Sequence, residues 1–134
     1  MPEHIDFDIA YRYSLFSVGI TVPVIISLGE QTAEFDAKVD TGSTYSVFQR
    51  LHGEFLGLEI ESGLLIKIGT LTGSFAAYGH QVLVSVLDFQ VVSTVYFAES
   101  EYFDRNILGR IGWLDRVKLG LIDSEGLLYL SPYS

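Results

Sequence analysis

The chain is expected to fold as an all-β protein with one short helix near its C-terminus. Three observations carry that expectation. Hydrophobic residues make up 49% of the chain, and Val, Ile, Leu, Phe and Tyr dominate them, the types that suit the pleated, half-buried face of a strand. Gly is frequent, 13 in 134 residues, and several mark turns between apolar runs of strand length. Long Ala/Glu/Lys/Leu stretches of helical period are missing. The length fits a single domain, residues 1–134, able to bury a core without staples.

The elements follow in order. Residues 1–12 are polar and irregular and read as an N-terminal arm. Phe16–Ile20 and Val22–Leu28 are β-branched runs, Gly29-Glu30 is a turn signal, and Thr32–Val39 alternates as the second arm of a hairpin. Val39-Asp40-Thr41-Gly42-Ser43 is a small-residue turn, and Tyr45–Phe48 a short strand beyond it. Gln49–Leu56 has room for one or two helical turns, with Gly53 working against them. Leu64–Gly69 and Phe75–Val86 flank the Gly- and Thr-rich segment Thr70–Ser74, which makes a hairpin. Phe89–Ala98 is a strand and Glu99–Arg105 a charged loop whose Glu99, Glu101 and Asp104 form a solvated acidic face. Asn106–Arg110 is a short apolar segment ending in Gly-Arg, and Gly112–Val117 has the spacing of a short helix. Lys118–Ile122 and Gly126–Leu130 are strands about the turn Asp123-Ser124-Glu125.

Composition excludes several function classes. A net charge of −9, from 17 acidic and 8 basic residues, argues against nucleic acid, which clustered Lys and Arg bind. It also means that two copies repel at long range, so a dimer needs short-range packing. There is no cysteine, hence no disulfide, thiolate nucleophile or Cys-based zinc site. His4, His52 and His80 lack metal-ligand spacing, and neither a metal nor a cofactor is expected. No serine-hydrolase elbow surrounds Ser43, and no Lys-Ser/Thr follows Gly73 to make a phosphate loop. No signal peptide or membrane-spanning segment is visible, so a cytoplasmic protein is the expectation.

Asp40-Thr41-Gly42 occurs once. Taken alone it reads as an Asx turn, with Asp accepting from the backbone and Gly supplying a positive φ. Its setting between two apolar strands, with Thr41 and Ser43 hydroxyls able to fix a carboxylate, and with Ile107-Leu108-Gly109-Arg110 downstream, resembles the retropepsin-like aspartic proteases, the single-domain relatives of retroviral protease. The resemblance spans roughly Val18 to Leu130. It implies a closed or partly open β-barrel of the acid protease type, with a flap hairpin and one short C-terminal helix. It further implies Asp40 as the catalytic aspartate, Thr41 as a cross-subunit brace, Gly42 as the point of close substrate approach and Ser43 as a hydrogen-bonding support. The flap tip falls at Leu71, Thr72, Gly73 and Ser74, and Ile107, Leu108, Gly109 and Arg110 pack beneath the loop.

One departure stands out. Retroviral members commonly carry an acidic residue where this chain has Thr44, and that acid pairs with the Gly-Arg arginine. Arg110 therefore needs another partner.

Acid-protease chemistry uses two carboxyls that share a proton, and no second Asp-Thr-Gly exists here. Asp88, Asp115 and Asp123 sit in a strand connection, a helix-like stretch and a turn. A two-fold axis supplies the second carboxylate, since a C2 interface sets a residue against its own copy. The expectation is an obligate homodimer that cleaves a peptide or protein substrate. Gly126–Leu130 reads as an interface strand or as core. Two alternatives remain open: a non-catalytic dimerisation or peptide-binding module of the same fold, and a small-ligand barrel in which Asp-Thr-Gly is only a turn.

Overall fold

A computed structural model describes residues 3–133; Met1 and Pro2, at the start of the expected arm, lie outside them. The chain runs through β1 (Ile9–Arg12), β2 (Thr21–Leu28), β3 (Gln31–Val39), β4 (Val47–Phe48), α1 (Arg50–Phe55), β5 (Leu64–Thr70), β6 (Gly73–Val86), β7 (Phe89–Ala98), β8 (Ile107–Leu108), β9 (Lys118–Ile122) and β10 (Leu127–Ser131). Seven strands form one sheet in the order β2-β3-β8-β4-β7-β6-β5, and an added pairing of β2 with β6 closes six of them into a ring. Closure removes sheet edges, so the apolar faces turn inward together.

The alternation in β2 shows how sequence dictates this. Val22, Val24 and Ile26 are buried while Pro23 and Ile25 face out, the period-two pattern of a strand with one face on a core. Pro23 is tolerated because β6 pairs with β2 only from Val24 to Ser27, which leaves the position before Val24 at an open edge where no N–H is required. Ala33, Ala37, Val39, Val82, Val84, Val86, Phe48, Phe97, Leu108 and Trp113 complete the barrel interior. A second, smaller cluster of Val47, Ala77 and Tyr96 packs with Tyr45, Ile66, Ile68, Phe75 and Phe103 under the β5–β6 hairpin.

Three expectations are corrected here. Phe16–Ile20 is not a strand. Gly19 has a φ of +81°, which turns the chain before Thr21, and Phe16 is fully exposed. The N-terminal arm is partly ordered: Ile9–Arg12 pairs antiparallel with β10, because alternating residues of this short run are half-buried. The C-terminal helix is a single 3-10 turn, Leu114–Arg116. Gly112 at φ +104° and Trp113 at φ −145° cannot start an α-helix, and burial of Trp113 in the core fixes that bend. The α-helical residues are instead Arg50–Phe55, where Gly53 fits because a Cβ there would meet Ile60 and Phe97 at under 3 Å.

β10 lies between β1 and β9 in a separate three-stranded sheet, and its Leu128 and Leu130 are buried in the chain's own core. Core packing therefore accounts for this strand. No helix among the described residues is long and apolar enough to cross a membrane.

Candidate functional site

Asp40 follows the last residue of β3 at the mouth of the barrel. Its position is set by a crossing of chain segments. β8 inserts between β3 and β4, parallel to β3 (Lys38↔Ile107, Val39↔Leu108) and antiparallel to β4 (Val47↔Ile107). The Asp40 N–H donates to the Leu108 carbonyl at 3.0 Å, so the strand beneath fixes the carboxylate-bearing residue directly. Beyond the turn, Arg110 N–H donates to Ser43 O at 2.9 Å and Ile111 N–H to Thr44 O at 2.7 Å. Ile107, Leu108 and Gly109 thus underlie the loop, and Leu108 is fully buried.

Gly109 is required for this approach. A Cβ at that position would stand 2.3 Å from Tyr45 O and 2.8 Å from Ser43 O, closer than atoms pack. The space is shared with Ser46, whose buried hydroxyl accepts from the Gly109 N–H at 3.0 Å and contacts the Gly109 carbonyl at 3.4 Å. Ser46 in turn donates its backbone N–H to Ile111 O and accepts from Tyr96 N–H. It is a bracing residue that the sequence did not single out. So is Asn106, whose Oδ1 accepts from Gln49 N–H and whose Nδ2 donates to Gln49 Oε1, both at 2.9 Å; its carbonyl accepts from Lys38 N–H. Asn106 thereby ties the starts of β8 and α1 to the end of β3. The only sequence signal for either residue was its closeness to a motif, Ser46 three residues after Ser43 and Asn106 immediately before Ile107.

Among the described residues the Asp40 carboxylate accepts one hydrogen bond, from Gly42 N–H to Oδ1 at 2.9 Å. The hydroxyls flanking it do not reach it. Ser43 Oγ donates to Tyr45 O at 2.8 Å, which shapes the turn from outside, while Ser43 N–H closes it on Asp40 O at 3.2 Å. Thr41 is exposed, and among the described residues its hydroxyl has no hydrogen-bond partner. Gly42 lies close to the carboxylate: a Cβ there would stand 3.2 Å from Asp40 Oδ1.

A cavity of about 320 Å3 opens over the turn, lined by Asp40, Gly42, Ser43, Thr44 and Tyr45 below and by Lys67, Ile68 and Gly69 of β5 above. The β5–β6 hairpin therefore roofs the carboxylate. Its turn is Leu71-Thr72, closed by the Thr70↔Gly73 pair, and Gly73 takes a φ of +145° that only glycine adopts without strain. Leu71 is fully exposed at the tip, and Ser74 is exposed on the returning strand. Phe75 stacks on Phe103 with ring centroids 4.9 Å apart, anchoring the hairpin to the Glu99–Arg105 loop. Tyr45, which lines the cavity, meets the buried Tyr96 edge to face at 5.1 Å. Burial, with Tyr45 adding to it, pushes the Tyr96 phenol above its ordinary range.

The sequence-predicted residues divide clearly. Asp40, Thr41, Gly42, Ser43, Ile107, Leu108, Gly109 and Arg110 come together at one place, and the flap tip stands apart from them, joined through Lys67–Gly69. Asp88, Asp115 and Asp123 do not line the Asp40 cavity. Arg110 is exposed and, among the described residues, its guanidinium makes no hydrogen bond or ion pair, so the replacement partner expected for it is not found among them. Of the histidines, His80 Nε2 sits 2.8 Å from Ile60 O and His52 stacks on Phe35 at 4.1 Å, both structural placements.

No protein-family model matches this chain, and no curated protein matches it. Among solved structures, the EIAV protease complexed with the inhibitor HBY-793 is similar to it at a TM-score of 0.55 and 20% sequence identity, covering 72% of this chain and 86% of that one. The likeness is one of fold: a ring of strands with a hairpin over one end, the all-β acid protease architecture of a retroviral protease.

Proposed function

We propose that two copies of this chain form an aspartic endopeptidase with one active site, to which each copy contributes Asp40. The observation that carries the reading is the half-built site. A partly buried carboxylate stands on a turn braced from beneath by Leu108 and roofed by a hairpin, over a cavity with no second acid in its lining. An exposed Thr41 hydroxyl without a hydrogen-bond partner among the described residues, next to that carboxylate, supports a symmetric partner at the same place.

In this reading the peptide lies extended between the Asp40 turns and the two flaps. Two carboxyls held about 3 Å apart do not both ionise readily, so the pair shares one proton. The ionised Asp40 takes a proton from water as the water oxygen attacks the scissile carbonyl carbon, and the protonated Asp40 donates to the carbonyl oxygen. The tetrahedral adduct collapses as the C–N bond breaks and the amine leaves with a proton. Gly42, lacking a side chain, lets the peptide backbone approach. Tyr45 and Ile68 offer it an apolar wall.

The test is Asp40→Asn. The variant is expected to fold and dimerise as the wild type does while cleavage of an unfolded protein substrate disappears; cleavage that persists would sink the assignment. Thr44, standing where retroviral members carry an acid, favours a second reading, a peptide-binding module that does not hydrolyse. A statine-type transition-state mimic separates the two. Tight binding that Asp40→Asn abolishes supports the enzyme, and a confirmed dimer that ignores the mimic supports the module.

A further inference from the structure

We propose that the cleft selects peptides carrying an acidic residue close to the Asp40 turn, with Lys67 and Arg110 as the selecting side chains. The inference rests on this cleft being the peptide site and goes beyond it by naming the kind of peptide.

Thr44 is the hinge of the argument because it lines two adjoining cavities. The inner one holds Asp40 and is roofed by Lys67, Ile68 and Gly69. The outer one, about 360 Å3, is lined by Thr44, Arg110, Ile111, Leu114 and Asp115. A chain leaving Asp40 along Thr44 therefore passes Lys67 on the roof and then Arg110 at the outer wall. Both cations are exposed, and among the described residues neither has a hydrogen-bond or ion-pair partner. Arg50 shows what a committed cation looks like in this chain: it is paired with Glu54 and Glu61.

The one acid in the outer cavity, Asp115, makes no ion pair with Arg110. Asp115 Oδ1 accepts from Gly112 N–H at 3.2 Å, and its own N–H donates to Arg110 O, so its carboxylate serves the turn. Two unpaired positive charges along one path are notable in a chain with 17 acidic and 8 basic residues. A guanidinium presents a planar fork that suits a carboxylate, and an ammonium adds a point charge. Selection is local. At physiological salt the screening length is about 8 Å, so the distant charges that make up most of the net −9 act weakly on an acid held at Lys67 and Arg110.

The experiment uses a synthetic array of random-sequence peptides probed with full-length Asp40→Asn protein, alongside cleavage of the same peptides by the wild type. Bound peptides are expected to be enriched in Asp and Glu, against the net charge of the chain. Lys67→Glu combined with Arg110→Glu is expected to shift the bound set toward Lys and Arg, changing the Glu-over-Lys preference at the selected position by about threefold to tenfold. Circular dichroism and sedimentation of the double variant show that it still folds and associates. A preference for basic peptides, no selection at all, or acidic selection unchanged in the double variant overturns the proposal. Acidic selection without wild-type cleavage refutes the peptidase reading and leaves this one standing; cleavage without acidic selection does the reverse.

Discussion

Gly109→Ala probes the join between β8 and the Asp40 turn. The added methyl would lie 2.3 Å from Tyr45 O, 2.7 Å from Tyr45 C and 2.8 Å from Ser43 O, all backbone atoms that cannot rotate away. Restoring ordinary contact at 3.4 Å moves the loop off β8 by about 1 Å, since overpacking must be relieved by displacement. That displacement takes the Arg110 N–Ser43 O and Ile111 N–Thr44 O bonds, at 2.9 and 2.7 Å, beyond good hydrogen-bond length. Overpacking costs about 1–3 kcal/mol and each lost hydrogen bond about 1 kcal/mol, which brings the loss to about 3–5 kcal/mol. Against a total stability of about 5–15 kcal/mol the variant is crippled, yet measurable. Urea unfolding followed by the fluorescence of Trp113, the one tryptophan and fully buried, reads the change. Gly69→Ala is the control, because a Cβ there meets nothing within 4 Å and should alter stability by less than about 0.5 kcal/mol. Equal midpoints for the two variants would refute the argument that β8 clamps the turn through a missing side chain.

Ser46→Ala leaves the buried Gly109 N–H without its 3.0 Å acceptor and should cost about 1–3 kcal/mol, again by urea unfolding. Leu71→Asp removes a fully exposed flap-tip side chain, so stability should hold within about 0.5 kcal/mol. If the tip closes on substrate, kcat/KM should fall about tenfold, as expected when burial of a Leu side chain is lost; unchanged kcat/KM would remove the flap from the mechanism. His52 titrates below its ordinary value of 6.5 because it is partly buried. Folding therefore binds fewer protons than the unfolded chain just below that value, and stability is full above pH 6.5 and falls as pH drops toward the lower folded-state pKa. His52→Phe, which keeps a ring beside Phe35, should flatten the loss of stability that sets in as pH falls below about 6.5; an unchanged slope would assign that loss to other groups.

Long elements with their own pattern were readable in the sequence. The β2–β3 hairpin announces itself through alternation and Gly29-Glu30, the flap through two strand runs about a Gly/Thr tip, and Phe89–Ala98 coincides with β7. The same is true of Asp40 and its support from Ile107-Leu108-Gly109, where a short motif carries a geometric demand. What failed was whatever depends on a distant partner. Ser46 looks like any serine until Gly109, 63 residues away, is placed against it. Ile9–Arg12 is too short to show a period and becomes a strand only because β10 offers an edge. At Gly112–Val117 helical spacing was present, but tertiary burial of Trp113 overrode it. Phe16–Ile20 had β-branched composition and no partner strand.

The insertion of β8 between β3 and β4 has a consequence for the order in which the molecule assembles. The strands on either side of the Asp40 turn are neighbours in the chain, yet they never pair with each other; each pairs with a two-residue strand made much later. Contacts of such sequence separation are closed slowly, because a long loop must be ordered before they form. As synthesis proceeds, the β2–β3 and β5–β6–β7 hairpins can form from local contacts while the slot between Val39 and Val47 stays open, with unpaired edges on both sides. The candidate carboxylate is held in place only when Leu108 enters that slot, so the proposed site is complete only once the last third of the chain is in place.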